Sequence, residues 1–267
     1  MRVTPTPKLA WALGILYAPI FIALLIGFGG DYDEIGNSAD NFFSAVVIPM
    51  GILTVAIVAL TTWLGWWRPV ISDDRPTPRW MLAVPIVMAI GIAGSIAVDL
   101  GRTSDLDTSF LLWLTIGTLL IGFCEEMVYR GLTIVGFRSG HREVRVWLFT
   151  TLLFAVLHLW NLAAGQGLMG TIQQFGYTFV LGSVYYVIRR STGTILIPIL
   201  IHAGWDWTGF ASGSEAFSSE AAASSASDGA GSGVAIFAAV IAVILCLIGA
   251  RKLFTDETPS VMANATA

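Results

Sequence analysis

Long apolar runs alternate with short charged segments along the whole chain. A bilayer core takes about 20 apolar residues per helix, and charge-free stretches of that size recur. They cover Leu9 to Gly30, Asn41 to Trp67 and Trp80 to Val98, and a fourth begins at Thr108. From Val146 to Ile188 no Asp, Glu, Lys or Arg occurs over 43 positions, enough for two helices. Gly165, Gly167 and Gly170 mark the turn between them. A seventh run starts at Ser191 and the last covers about Gly233 to Ala250. The pattern predicts an all-α polytopic transmembrane bundle of about eight spans.

Composition agrees. Of 267 residues, 55% are apolar and 12% charged, about half the charge of an ordinary soluble domain. A net charge of −4 offers phosphate no basic surface, so nucleic acid is excluded as a partner. Cys124 and Cys246 each lie in an apolar run, which implies no disulfide framework. The first run is too long for the apolar part of a cleaved signal peptide, and more spans follow it. The whole chain, 1–267, reads as one integral membrane domain. The Ser/Ala/Gly-rich tract 211–232 reads as a flexible outer loop.

Charge placement orients the bundle. With eight alternating spans and both termini in the cytoplasm, the inner segments hold Arg68, Arg75, Arg79, Arg138, Arg142, Arg145, Arg189, Arg190, Arg251 and Lys252. Only Arg102 falls outside, and Arg130 lies within a span. Outer loops collect acids, among them Asp31, Asp33, Glu34, Asp40, Asp99, Asp105, Asp107, Glu215, Glu220 and Asp228.

Ionisable groups within a span are costly and mark function by default. Glu125, Glu126 and Arg130 sit in the fourth run, His158 in the fifth, and His202 and Asp206 in the seventh. Glu125 is 13 residues from Arg138, His158 is 13 from Arg145, and His202 is 12 from Arg190. At the α-helical rise, all three lie about 18–20 Å from the inner charged boundary. Costly groups on three helices therefore share one level. Glu126 and Arg130 stand i, i+4 on one face and can pair, which leaves Glu125 pointing elsewhere. Tyr129, i+4 from Glu125, is placed to hold that carboxylate. His202 and Asp206 share a face, as do Phe154 and His158.

Several chemistries fit such a set. Two imidazoles and a carboxylate (His158, His202, Glu125) suit a divalent metal such as zinc with an open water position. Without metal, Glu125 and His158 would activate water while His202 and Asp206 stabilise an oxyanion. A proton or cation carrier, or a non-enzymatic immunity or scaffold protein, would use the same buried cluster without hydrolysis. Neither an H-E-x-x-H zinc motif nor a G-x-S-x-G elbow accompanies these residues.

The segment Glu125-Glu126-Met127-Val128-Tyr129-Arg130 resembles the E-E-x-x-x-R signature of the CPBP intramembrane proteases, which include the type II CAAX prenyl endopeptidases and the bacteriocin-immunity-type Abi proteins. Phe154 to His158 is similar to the family's F-x-x-x-H motif, and His202 to Asp206 to its H-x-x-x-N/D motif, in the same order. The resemblance covers about 108–210, the motif-bearing protease core. It implies an intramembrane endopeptidase with Glu125 and His158 on the attacking water. His202 and Asp206 would bind the oxyanion or, in the metalloprotease reading, a metal. On the spacing above, Glu126 and Arg130 form the orienting pair, with Tyr129 beside them. The partners implied are membrane lipid and a peptide or membrane-protein substrate, in a bacterial plasma membrane.

Overall fold

A computed structural model describes residues 1–29, 34–75, 77–104, 106–212 and 230–255. Among these the protein is all-helical, with one isolated bridge, Ser72 to Thr194, and no strand. The long helices are α1 (Pro7–Gly27), α2 (Ala39–Leu64), α3 (Arg79–Val98), α4 (Thr108–Arg138), α5 (Glu143–Ala164), α6 (Leu168–Thr192), α7 (Leu196–Ala211) and α8 (Ala230–Thr255). Six of them, α1 to α5 and α8, are long and apolar enough to cross a membrane. The other two depart from a simple apolar span. Helix α6 carries Gln173, Gln174, Arg189 and Arg190, and α7, at 16 residues, is short. Large apolar side chains such as Val55, Ile90 and Leu247 lie exposed on the flanks, as a lipid-facing surface requires.

Local chemistry explains the boundaries. Thr6 caps α1 through Leu9 N–H, with Pro7 opening the helix. Ser38 caps α2 and Asp107 caps α4 in the same way. The Ser109 hydroxyl, helped by the backbone N–H groups of Phe110 and Ser109, holds the exposed Asp107 carboxyl below the usual carboxylate range. Helix α5 tightens to a 3₁₀ turn over Trp160–Ala164 and stops at Gly165, whose φ of 105° no branched residue would tolerate. Gly167 caps α6, while Gly170, expected in the turn, already lies in the helix. Ala211 still belongs to α7 and Ala230 to α8, and 213–229 of the expected outer loop lies outside the described residues.

The helices alternate in direction, so the bundle has two distinct ends. At one end Arg2 bonds Leu64, Pro7 meets Gly140, and Trp80 meets Gly249. This end holds a buried ionic network. Arg138 donates to Asp73 at 2.8 Å and to Glu143 at 2.6 Å, and Arg190 donates to Glu143 at 2.9 Å. Arg75 and Tyr186 also donate to Glu143. Arg189 donates to the Val70 and Pro69 carbonyls, which ties the short helix Trp67–Ile71 to α6. Burial pushes the Asp73 carboxyl up, but the guanidinium of Arg138, helped by Arg189 and Arg190, outweighs it and holds the group below the ordinary carboxylate range. At the opposite end Phe42 packs edge-on against Phe110 and Phe210, and Trp207 donates to Thr115.

Candidate active site

The site forms where α4, α5, α6 and α7 meet between these ends. Close approach of α4 to α7 needs Gly122: a Cβ there would stand 2.7 Å from the Ile199 carbonyl oxygen. Just beyond it, α4 widens into a π-helix over Met127–Leu132, a local form found often at functional sites. That turn buries Tyr129 and Arg130 completely.

Arg130 pairs with Glu126, as their spacing predicts: Nη1 donates to Oε1 at 3.0 Å. Its Nη2 donates to the Gly182 carbonyl at 3.0 Å, and the guanidinium lies 4.0 Å above the Phe154 ring. Glu126 has a second partner that its sequence neighbourhood does not reveal. The same Oε1 lies 2.9 Å from His202 Nδ1. A carboxylate already paired with Arg130 is an acceptor, so Nδ1 carries the hydrogen. His202 Nε2 then faces Glu125 Oε2 at 3.8 Å and Asp206 Oδ2 at 3.5 Å.

Aromatic rings fix both imidazoles. Tyr185 stacks on His202, with centroids 4.7 Å apart and planes 19° from parallel. Phe154 meets His158 and His202 edge-on. His158 Nδ1 is 2.9 Å from the Phe154 carbonyl. A carbonyl only accepts, so Nδ1 donates and Nε2 keeps a lone pair. Glu125, His158, His202 and Asp206 all line one cavity. Glu125 Oε2 is buried there without a hydrogen-bond partner among the described residues. The site thus offers an unengaged carboxylate oxygen, an imidazole lone pair and a positioned second imidazole around one space.

One expected contact is corrected. Tyr129 does not hold Glu125; its hydroxyl donates to the Gly14 carbonyl at 3.2 Å. The hydroxyl finds a backbone acceptor on α1, 115 positions away in sequence, which spacing within α4 does not reveal. That bond ties α4 to α1 instead. Tyr185 and Gly182 carry no sequence signal, because an aromatic and a glycine in an uncharged helix read as ordinary packing. Cys124 is buried beside Thr54 and the Met50 carbonyl.

Among the described residues no three His, Cys, Asp or Glu side chains are grouped to hold a metal ion. The Nδ1 atoms of His158 and His202 are engaged by the Phe154 carbonyl and Glu126, which leaves Nε2 of each ring as the nitrogen that would face a ligand.

Residues 107–208 match the family model described as type II CAAX prenyl endopeptidase Rce1-like. The motif-bearing segment is similar to that family. It runs from the cap of α4 to the last turn of α7 and contains every candidate residue, Glu125 through Asp206. Comparison with curated proteins and with solved structures gives no match. The Rce1-like family is one of proteases. Helices α1 to α3 and α8 lie outside the matched segment and enclose it.

Proposed function

We propose that the chain is an intramembrane endopeptidase that hydrolyses a peptide bond without metal. The observation that carries this reading is the convergence of Glu125, His158, His202 and Asp206 on one buried cavity within an Rce1-like segment. Glu125 and His158 take a proton from water as its oxygen bonds to the carbonyl carbon. His202 Nε2 and Asp206 receive the oxyanion. The proton then passes to the leaving nitrogen as the carbon–nitrogen bond breaks.

Charge counting assigns a role to Asp206. Three carboxylates surround one guanidinium and one imidazole, so with His202 as imidazolium one negative charge remains. A proton on Asp206 completes the balance in this water-poor site. It also turns Asp206 into a hydrogen-bond donor, which an ionised aspartate is not. Eight spans with both termini cytoplasmic are part of the proposal. The bundle's two ends support it, since the arginines of α4, α6 and the loop after α2 gather at one of them.

The test is hydrolysis itself. Purified protein incubated with apolar peptides in heavy-oxygen water is expected to release fragments whose new carboxylate carries the heavy label. Absence of cleavage by folded protein would contradict the reading.

A further inference from the structure

Helix α6 turns one face to the cavity. Gln174, Thr178, Leu181 and Tyr185 line it, at the spacing that puts side chains on one side of a helix. Tyr185 is the last of them and the one that reaches the catalytic groups, its ring stacked on His202 with centroids 4.7 Å apart. Its hydroxyl is buried and has no hydrogen-bond partner among the described residues. That sets it apart from the other buried tyrosines. Tyr129 donates to the Gly14 carbonyl, Tyr186 to Glu143 and Tyr17 to the Met50 sulfur. A buried hydroxyl is costly to leave unbonded, and proteins rarely keep one without a use.

Three neighbours hold the ring in place. His202 covers one face, Phe154 meets it edge-on with centroids 6.4 Å apart, and the Arg130 guanidinium lies 5.4 Å from its centroid. The hydroxyl is thereby positioned in advance of any ligand. Of the charged groups that act on it, Asp206 acts most strongly. Asp206 also faces His202 Nε2 at 3.5 Å. The hydroxyl of Tyr185 and the open nitrogen of His202 therefore border one carboxyl group, and both residues line the same cavity.

We infer that Tyr185 is a further catalytic residue, whose hydroxyl donates to the peptide carbonyl oxygen as it becomes an oxyanion beside His202 Nε2. The inference deepens the endopeptidase reading and rests on it. As the oxygen of water bonds to the carbonyl carbon, its proton goes to the Glu125 and His158 pair and the carbonyl π electrons move onto oxygen. Tyr185 gives that oxygen a hydrogen bond and keeps its own proton throughout. When the electron pair returns, the carbon–nitrogen bond breaks and the proton taken from water passes to the leaving nitrogen. A phenol carries its hydrogen at neutral pH, whereas an aspartate donates only when protonated. A donor already fixed in a water-poor site needs no rearrangement as the charge develops.

Tyr185→Phe in the full-length protein removes the oxygen and keeps the ring. Its melting temperature should equal or exceed that of the wild type, because the lost hydroxyl bonds nothing in the fold. Peptide cleavage should fall by a factor of about 10² in kcat with little change in KM, since the bond forms only as charge develops. Affinity for a peptide phosphonate, which places a tetrahedral anion at the scissile position, should fall by about tenfold or more. Affinity for the same peptide with two methylenes at that position should not change. A role limited to stacking on His202 would leave all of these at wild-type values, because the ring is retained. Wild-type kcat or wild-type phosphonate affinity in the variant would overturn the inference. Loss of folded protein would do so too, since it would give the hydroxyl a structural role. A folded wild type that cleaves no peptide would instead sink the endopeptidase reading. The phosphonate comparison then decides the donor alone: weaker binding by the variant supports it, and equal or absent binding overturns it.

Discussion

His202 is fixed at Nδ1 and leaves Nε2 facing two acids, and the proposed chemistry depends on that arrangement. Glu126 fixes its Nδ1, while Glu125 and Asp206 both face its Nε2. Arg130 holds Glu126 in place at 3.0 Å. Replacing Arg130 with alanine would strand a fully buried carboxylate, at a cost of about 3–5 kcal/mol. The expected outcome for Arg130→Ala is loss of folded protein on size-exclusion chromatography along with lost activity; a monodisperse, inactive variant would give Arg130 a direct chemical role. Asp206 separates two chemistries. If it donates to the oxyanion, Asp206→Asn supplies an N–H in its place and peptide cleavage should persist or rise. Activity and bound zinc falling together in that variant, measured against the wild type, would restore the metal reading. The individual acids, histidines and Arg130 were legible in the sequence because a charge within an apolar run is conspicuous. The Glu126–His202 bond was not, since it joins residues 76 apart and depends on how α4 and α7 cross. Tyr129 misled because its partner, the Gly14 carbonyl, lies 115 positions away on another helix.

At the scale of elements, the site is a product of helix crossings. Gly122 sets the distance between α4, which carries both glutamates, and α7, which carries His202. A methyl group at 122 would press on backbone atoms of α7, the Ile199 oxygen at 2.7 Å and the Ala203 nitrogen at 3.1 Å, which cannot rotate aside. Gly122→Ala should cost about 1–3 kcal/mol from overpacking. It should also lower the cleavage rate by separating Glu126 from His202. A variant with wild-type melting and wild-type turnover would show that the crossing tolerates more space than the geometry allows. The helices themselves were readable from the spacing of charges, to within a few residues at α1, α2 and α3. Even the break between α5 and α6 was visible, because Gly165 must adopt positive φ there. The π-segments in α2 and α4 were not visible, since no residue type selects that turn strongly.

Among the described residues, an ionic end stands opposite an aromatic end, with the site between them. Asp73 belongs to the first. Its folded value lies below the ordinary carboxylate range because Arg138, Arg189 and Arg190 overcome the burial that would raise it. Its contribution to stability is therefore complete above its unfolded value of about 4, and it fades as pH falls through the lower folded value. Melting of the detergent-purified protein should drop steeply below about pH 4, and Asp73→Asn should flatten that drop; parallel curves would show that the network does not secure this end. The network was only half legible. The sequence placed arginines on one side of the membrane but gave no sign that Asp73 and Glu143 would bury themselves among them. The central claim is that Glu125 activates water inside this bundle. Glu125→Gln preserves shape and removes the base, so cleavage of an apolar peptide by folded, purified protein should fall by a factor of about 10² or more. A Glu125→Gln protein that cleaves at the wild-type rate would contradict the account.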